Sequence, residues 1–377
     1  MVSLPHLLIL SFTDADKDPR IYRQIISLSA QFRITVAALS SPNYPGVDFF
    51  KLDHIPAPNL LVKGMRAGSL LLGNEKPFLA RFLPSPHAQL RSKPDVVLTR
   101  HPDTFPLAFS LACGAPVIFD ALEYHPREYE GMFFWRLFHQ PYIKRLCSEY
   151  IPRLAGMFTV SKRIAVEYEK TYGLKTELVY NTTEFMNLCP RTPQAGCLRL
   201  VHHGAATPDR GLEKMIDLMK LLDRRWELDF YLVGNPRYVG KLKKRAKGFS
   251  QIRWNEPVAM NRLPEVLNQY DLGFYILAPT SFNNYYALPN KFFEFIQARL
   301  GLAIAPSPEM AAMVNKYELG VVADDFTPES LANRLNSLDE AAVERFKRNS
   351  DKIASTYTAE NSMQVLSNLL HGALSKA

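Results

Sequence analysis

The sequence is poor in cysteine and has no long apolar run. Its four cysteines, Cys113, Cys147, Cys189 and Cys197, form no CxxC pair and stand at no spacing typical of zinc or iron–sulfur ligands. That excludes a disulfide scaffold and leaves reduced thiols as the simplest account. No apolar stretch approaches the roughly 18 residues of a membrane span. Met1-Val2-Ser3-Leu4-Pro5 lacks the basic start of a signal peptide, so the expected location is the cytoplasm. No internal repeat of solenoid period is evident. Acidic residues are the minority, with a net charge of +8 and a pI near 9.2. Each half, 1–184 and 185–377, carries half of that excess, so neither is a dedicated basic domain for nucleic acid.

What is present is ample core. A chain of 377 residues with 47% hydrophobic content supports two or three domains. Strand-like and helix-like segments alternate along it. Leu7-Leu8-Ile9-Leu10 reads as a buried strand, Asp14 to Arg20 as a polar loop, and Ile21 to Gln31 as a helix. Ile34 to Leu39, Asp95 to Thr99, Val117 to Phe119 and Met157 to Ser161 are further strands, and the helix Lys162 to Tyr172 stops at Gly173. Polar, proline-containing sequence from Asn181 to Cys197 reads as a linker. A second series follows, with strands at Leu198 to His203, Leu228 to Val233 and Asp271 to Leu277, and a helix at Leu212 to Leu222. Uniformly apolar strands alternating with helices predict parallel sheets covered on both faces, with ligands at the carboxyl ends of the strands.

The second series leads to Leu288-Pro289-Asn290-Lys291-Phe292-Phe293-Glu294, preceded by the irregular Ser281 to Tyr286. Pro289 suits the first position of a helix, which leaves the amides of Asn290 and Lys291 pointing out of its N-terminus toward an anion. Lys291 adds a cation there. Glu294, about one turn further in, is a carboxylate among aromatic residues, and two vicinal ribose hydroxyls would satisfy both of its oxygens. The alternative is an amphipathic helix with a Lys291/Glu294 surface pair.

Three stretches of charge or aromatic residues stand outside this pattern. Residues 60–93 hold Lys63, Arg66, Lys76, Arg81, Arg91 and Lys93 against the single acid Glu75, mixed with leucine and phenylalanine, which suits an anionic membrane surface at the inner face. Lys241 to Lys247 reads as a solvated helix face. Phe133 to Phe138 with Lys144 and Arg145 is either core helix or a membrane-facing surface, with core favoured.

Taken together, these pieces resemble the GT-B glycosyltransferases, closest to the retaining family 4 that uses nucleotide-sugar donors. The resemblance is carried by Asp18-Pro19-Arg20, by Val117 to Glu123 ending Asp120-Ala121-Leu122-Glu123, and by Phe158 to Ser161 followed by Val179-Tyr180-Asn181. In the second half it is carried by His203-Gly204 with Arg210-Gly211, Leu232-Val233-Gly234, Leu288 to Glu294, and Pro306 to Met310. It implies two Rossmann-like doubly wound α/β domains facing a central cleft. The acceptor-side domain would span 1–184 and the nucleotide-sugar domain 185–360, with a helix over 361–377 packing back on the first.

The resemblance also implies roles. Glu294 would hold the donor ribose, and Gly204, Gly234, Arg210, Lys291 and the backbone at Leu288, Pro289 and Asn290 the diphosphate. Asn283, Asn284 or Tyr286 would meet the donor sugar, and Glu123 would be a catalytic residue on the acceptor side; His101, at a strand's carboxyl end, reads either as a catalytic acceptor contact or as a capping or packing residue. Arg210 and Lys291 would carry the chemistry by stabilising the leaving diphosphate, without a metal or other cofactor. The implied activity is sugar transfer to a glycan or lipid-linked acceptor in polysaccharide or glycoconjugate synthesis. Tyr286 stands where the family has its first acid, Leu122 where it commonly has a histidine, and Ala205 where a basic residue often follows the glycine. A silent nucleotide-sugar-binding scaffold and an epimerase of the same fold are the rival readings.

Overall fold

The computed structural model describes residues 4–54, 64–65, 68–69, 72–74, 82–84 and 90–376. Two compact units emerge: Met1–Val179 with Ser281–Asn283 and Ser362–Ala377, and Tyr180–Thr280 with Asn284–Asn361. Among the described residues no helix is long and apolar enough to cross a membrane. Of the six basic residues on which the membrane reading of residues 60–93 rests, Lys63, Arg66, Lys76 and Arg81 lie outside the described residues.

In the first unit the strands are β1 (His6–Leu10), β2 (Arg33–Ala38), β3 (Asp48–His54), β4 (Phe82–Pro84), β5 (Val96–Arg100), β6 (Val117–Ala121), β7 (Gly156–Thr159) and β8 (Thr176–Leu178). Their order is β4-β3-β2-β1-β5-β6-β7-β8, parallel except for β4, which runs antiparallel along β3. β1, β5 and β6 are buried at every position, as expected of strands covered on both faces. The helix Pro19–Leu28 starts at Asp18, whose carboxylate accepts from the amides of Arg20 and Ile21. One face of the sheet is closed by Met363, Leu366 and Leu370 of the helix Ala359–Leu374, which pack with Ile25, Leu28 and Phe32.

The second unit carries β9 (Leu198–Ala206), β10 (Trp226–Gly234), β11 (Ile252–Asn255), β12 (Leu272–Tyr275), β13 (Gly301–Ile304) and β14 (Gly320–Val322), in the order β11-β10-β9-β12-β13-β14 and all parallel. β9 runs three residues past its sequence-predicted end at His203, because His203 to Ala206 pair with Tyr231 to Gly234 of β10. The helix Asn290–Gln297 packs on β12 so closely that a Cβ on Gly273 would lie 2.2 Å from the Phe295 ring. The lysine-rich helix Pro236–Arg245 buries Leu242, and its Arg245 pairs with Asp217, consistent with a solvated face.

The aromatic run departs from the core reading. Met132, Phe133 and Phe134 are 61%, 63% and 72% exposed, and Trp135–His139 forms a π-helical turn leading into the helix Gln140–Tyr150.

Candidate functional site

Each sheet has one point where strand order reverses, between β1 and β5 in the first unit and between β9 and β12 in the second. Crevices at the carboxyl ends of the strands open there, and both hold unusual polar chemistry.

In the second unit the crevice is built around Lys291, which is only 4% exposed. Its ammonium donates to the His203 carbonyl at 2.9 Å, lies 3.3 Å from His202 Nε2, and sits 4.3 Å from the centre of the Tyr275 ring. His202 Nδ1 lies 2.9 Å from the Phe274 carbonyl; donating its proton there makes Nε2 the acceptor for the lysine. Burial, then the charge of Arg210, lowers the Lys291 pKa to about 7, with Glu294 opposing them. Burial and the Lys291 charge lower His203 to about 3, so that imidazole is neutral. Its Nε2 lies 3.2 Å from Glu294 Oε2 without making a hydrogen bond. With Lys291 and Glu294 both buried, the surface-pair reading of this helix is excluded.

The backbone around the ammonium is shaped for close approach. Gly204 has φ +110°, in the region that favours glycine. At the end of β10, a Cβ on Gly234 would come 2.7 Å from the Ala206 carbonyl oxygen. Pro289 is the N-cap of the helix rather than its first residue, with φ −78° and ψ 159°. This shifts the expected start by one residue and still leaves the amides of Asn290 and Lys291 ahead of the first bond, which Phe292 donates to the Pro289 carbonyl at 3.0 Å. Leu288 is packed in the core. Arg210 is half-buried on the turn after β9, before Gly211 in the left-handed conformation.

Asn283 falls outside the second unit. It belongs to the first unit, where its Oδ1 accepts from the Tyr124 amide at 2.8 Å and its Nδ2 donates to the Glu123 carboxylate at 3.3 Å. Asn284 donates to Thr280 Oγ1 at 2.8 Å, and the Tyr286 ring packs edge-on against Tyr285.

In the first unit a cavity of about 310 Å³ lies at the switch point, lined by Thr13, Arg100, His101, Leu122, Glu123 and His125 among others. Its floor is a buried ion network. Asp120, fully buried, accepts two bonds from Arg20 at 2.7 Å and one from Gln24 at 2.8 Å, and Arg100 pairs with Asp18. This joins the Asp18-Pro19-Arg20 segment to the end of β6. Burial would raise the Asp18 pKa, but Arg100 and the two capping amides outweigh it and hold it low.

His101 sits at the end of β5 with φ +63°, and Asp103 donates its amide to His101 Nδ1. Glu128 takes His125 Nδ1 at 2.8 Å and His101 Nε2 at 3.3 Å, and the two imidazole rings pack edge to face. Burial would raise the Glu128 pKa, yet these two bonds hold it well below the carboxylate range. Burial in turn lowers that of His125. The donor atoms of the three residues lie within 4.8 Å of one another, a trio able to meet a metal ion. Its internal hydrogen bonds satisfy Glu128 without one. Sequence reasoning missed His202, whose partners lie on other elements, and also His125 and Glu128, for which the three-residue His125/Glu128 spacing was the one available signal.

No protein-family profile matches the sequence, and no curated protein matches it either. Solved structures do. Anabaena HepE in complex with UDP and glucose superposes with a TM-score of 0.68 at 14% identity, over 97% of this chain and 99% of that one. Sucrose-phosphate synthase from Thermosynechococcus elongatus gives 0.72 at 10% identity, over 99% and 100%. WaaG, a glycosyltransferase involved in lipopolysaccharide biosynthesis, gives 0.65 at 12% identity, over 97% and 99%. The chain has the GT-B fold of these proteins.

Proposed function

With the GT-B fold as premise, we propose that the protein is a glycosyltransferase that moves a sugar from a nucleotide-diphosphate sugar to a glycan or lipid-linked acceptor. In the same reading transfer proceeds with retention, serves cell-surface polysaccharide or glycoconjugate synthesis, and takes place at the cytoplasmic face of the membrane. The observation that carries it is the Lys291 cluster, a buried ammonium at the amide end of a helix, beside Gly204 and within the field of Arg210.

Sugar transfer breaks the bond between the anomeric carbon and the diphosphate, and the electron pair leaves with the phosphate. Lys291, Arg210 and the amides of Asn290 and Lys291 would stabilise that charge from fixed positions. These donors do the work assigned to a metal in other phosphate sites, so the reading calls for none. Glu294 would hold the ribose hydroxyls, and Glu123 and His101 would meet the acceptor, whose proton passes to the departing phosphate. HepE has been solved with UDP-glucose, which supports a nucleotide sugar as donor.

The test is calorimetric titration with UDP, GDP and their sugars. Arg210→Ala is expected to weaken diphosphate binding by about 1.5 to 3 kcal/mol, and Glu294→Gln to weaken nucleoside diphosphate more than inorganic diphosphate. Unchanged affinity in both variants would remove the assignment. Leu122, which has no hydrogen-bonding group, favours a second reading as a nucleotide-sugar-binding scaffold. Tight binding without turnover over a panel of donors and acceptors would select it.

A further inference from the structure

The exposed aromatic turn before the helix Gln140–Tyr150 has no role in the proposed chemistry. Tyr129, Met132, Phe133, Phe134 and Leu137 are between 44% and 72% exposed. Large apolar side chains exposed singly are ordinary, but a contiguous group marks a contact surface. The rings hold one another outward: Phe133 meets Phe134 edge-on at 5.6 Å, and Phe134 stacks with Phe138 at 6.4 Å. The turn is also π-helical, a rare and costly form that recurs at functional positions.

Its charge is one-sided. From Gly131 to Ser148 the sequence holds Arg136, Lys144 and Arg145 and no aspartate or glutamate. Arg136 and Lys144 are exposed, and Arg145 donates to the Gly73 carbonyl at 2.8 Å. That bond brings the turn containing Leu72, itself 87% exposed, beside the same surface. Of the flanking acids, Glu130 pairs with Arg127 and accepts from the Phe282 amide, and Glu128 is held by two histidines, while Glu149 and Glu167 lie on the Lys144 side, away from the aromatic tip in sequence.

We infer that residues 129–145 form a membrane-docking surface, with Phe133, Phe134 and Leu137 entering the acyl boundary and Arg136, Lys144 and Arg145 meeting anionic lipid headgroups. Protruding apolar tips flanked by cations match the layering of a bilayer, apolar inside and anionic at its rim. The surface is centred on residues 129–145 and meets the stretch 60–93 at Gly73, and its function does not depend on the sugar-transfer reading. A membrane dock is expected even in a silent scaffold.

Trp135 reports directly. It packs edge-on against Tyr129 at 5.9 Å within the turn, whereas Trp226 is fully buried and Trp254 is stacked on Phe230. The full-length protein is mixed with vesicles of equal parts phosphatidylcholine and phosphatidylglycerol, or of phosphatidylcholine alone, with brominated acyl chains. The expected result is quenching of tryptophan emission by the anionic vesicles, abolished by Trp135→Phe and reduced by high salt. Phe133→Ser with Phe134→Ser should lower the pelleted fraction by about tenfold, and Arg136→Glu with Lys144→Glu should do so by a similar factor on anionic vesicles. Unchanged melting of these surface variants shows that the fold is intact. Binding that survives the Phe133/Phe134 change, or no pelleting of the parent protein, overturns the inference. Concentration-dependent self-association lost in the same variant would assign the surface to a second copy.

Discussion

Burial and the Arg210 charge push the Lys291 pKa down to about 7 in the folded protein, from the 10.5 of a free lysine. Between those values the unfolded chain holds a proton that the folded chain has released, so this residue makes stability rise with pH across that window. Its penalty is complete below about 7 and gone above the unfolded value. Lys291→Met should therefore raise the melting point of the ligand-free protein at about pH 6, by an amount that shrinks toward pH 9 and beyond. A bound diphosphate restores the charge, so nucleotide binding near neutral pH should take up a proton, seen as a buffer-dependent calorimetric enthalpy. An enthalpy that is the same in buffers of different ionisation heat would contradict this. Lys291 and Glu294 were legible because a local pattern, proline then polar then aromatic, exposes a helix start. His202 was not, because its meaning comes from Phe274 and Lys291, residues far from it in sequence.

At the scale of elements, the position of Lys291 depends on how its helix seats on β12. Gly273 gives that seat, and Gly273→Ala would drive a methyl into the Phe295 ring. Overpacking of this kind costs about 1 to 3 kcal/mol. Because it displaces the helix that presents Lys291, nucleotide affinity should fall along with the urea midpoint. Affinity retained at wild-type strength would show that the helix is positioned by other contacts. The helix Lys162–Tyr172 with its Gly173 stop was readable to the residue, since its apolar spacing and glycine cap are local signals. The run Phe133 to Phe138 was not. Aromatic composition is the same in a core and at a docking surface, and only the elements opposite decide between them.

For the molecule as a whole, two cores imply two separable unfolding events. Asp120 ties helix Pro19–Leu28 to β6 through Arg20 and Gln24, and removing one partner of a buried pair costs about 3 to 5 kcal/mol. Asp120→Ala should lower the transition of the first unit and leave that of the second in place, read by hydrogen exchange at β1 and β9. Equal loss in both would mean that the units unfold as one. The two-unit alternation was legible from apolar periodicity. The return of Ser281–Asn283 to the first unit was not, because it depends on Asn283 meeting Tyr124 and Glu123.

The helix Ala359–Leu374 also sets an order in time. Its Leu366 and Leu370 share a core with Ile25, Leu28 and Phe32, its Ser367 bonds Gln31 at 2.6 Å, and the His371 ring stacks on Phe32. A ribosome delivers Phe32 more than three hundred codons before His371. The first unit to be synthesised is therefore the last to be sealed, and the second can fold while its elder neighbour still has an open flank. Ribosome-stalled chains ending near residue 361 should show a protease-resistant second unit and a susceptible first one. The nascent protein then has a defined interval in which that flank needs a chaperone.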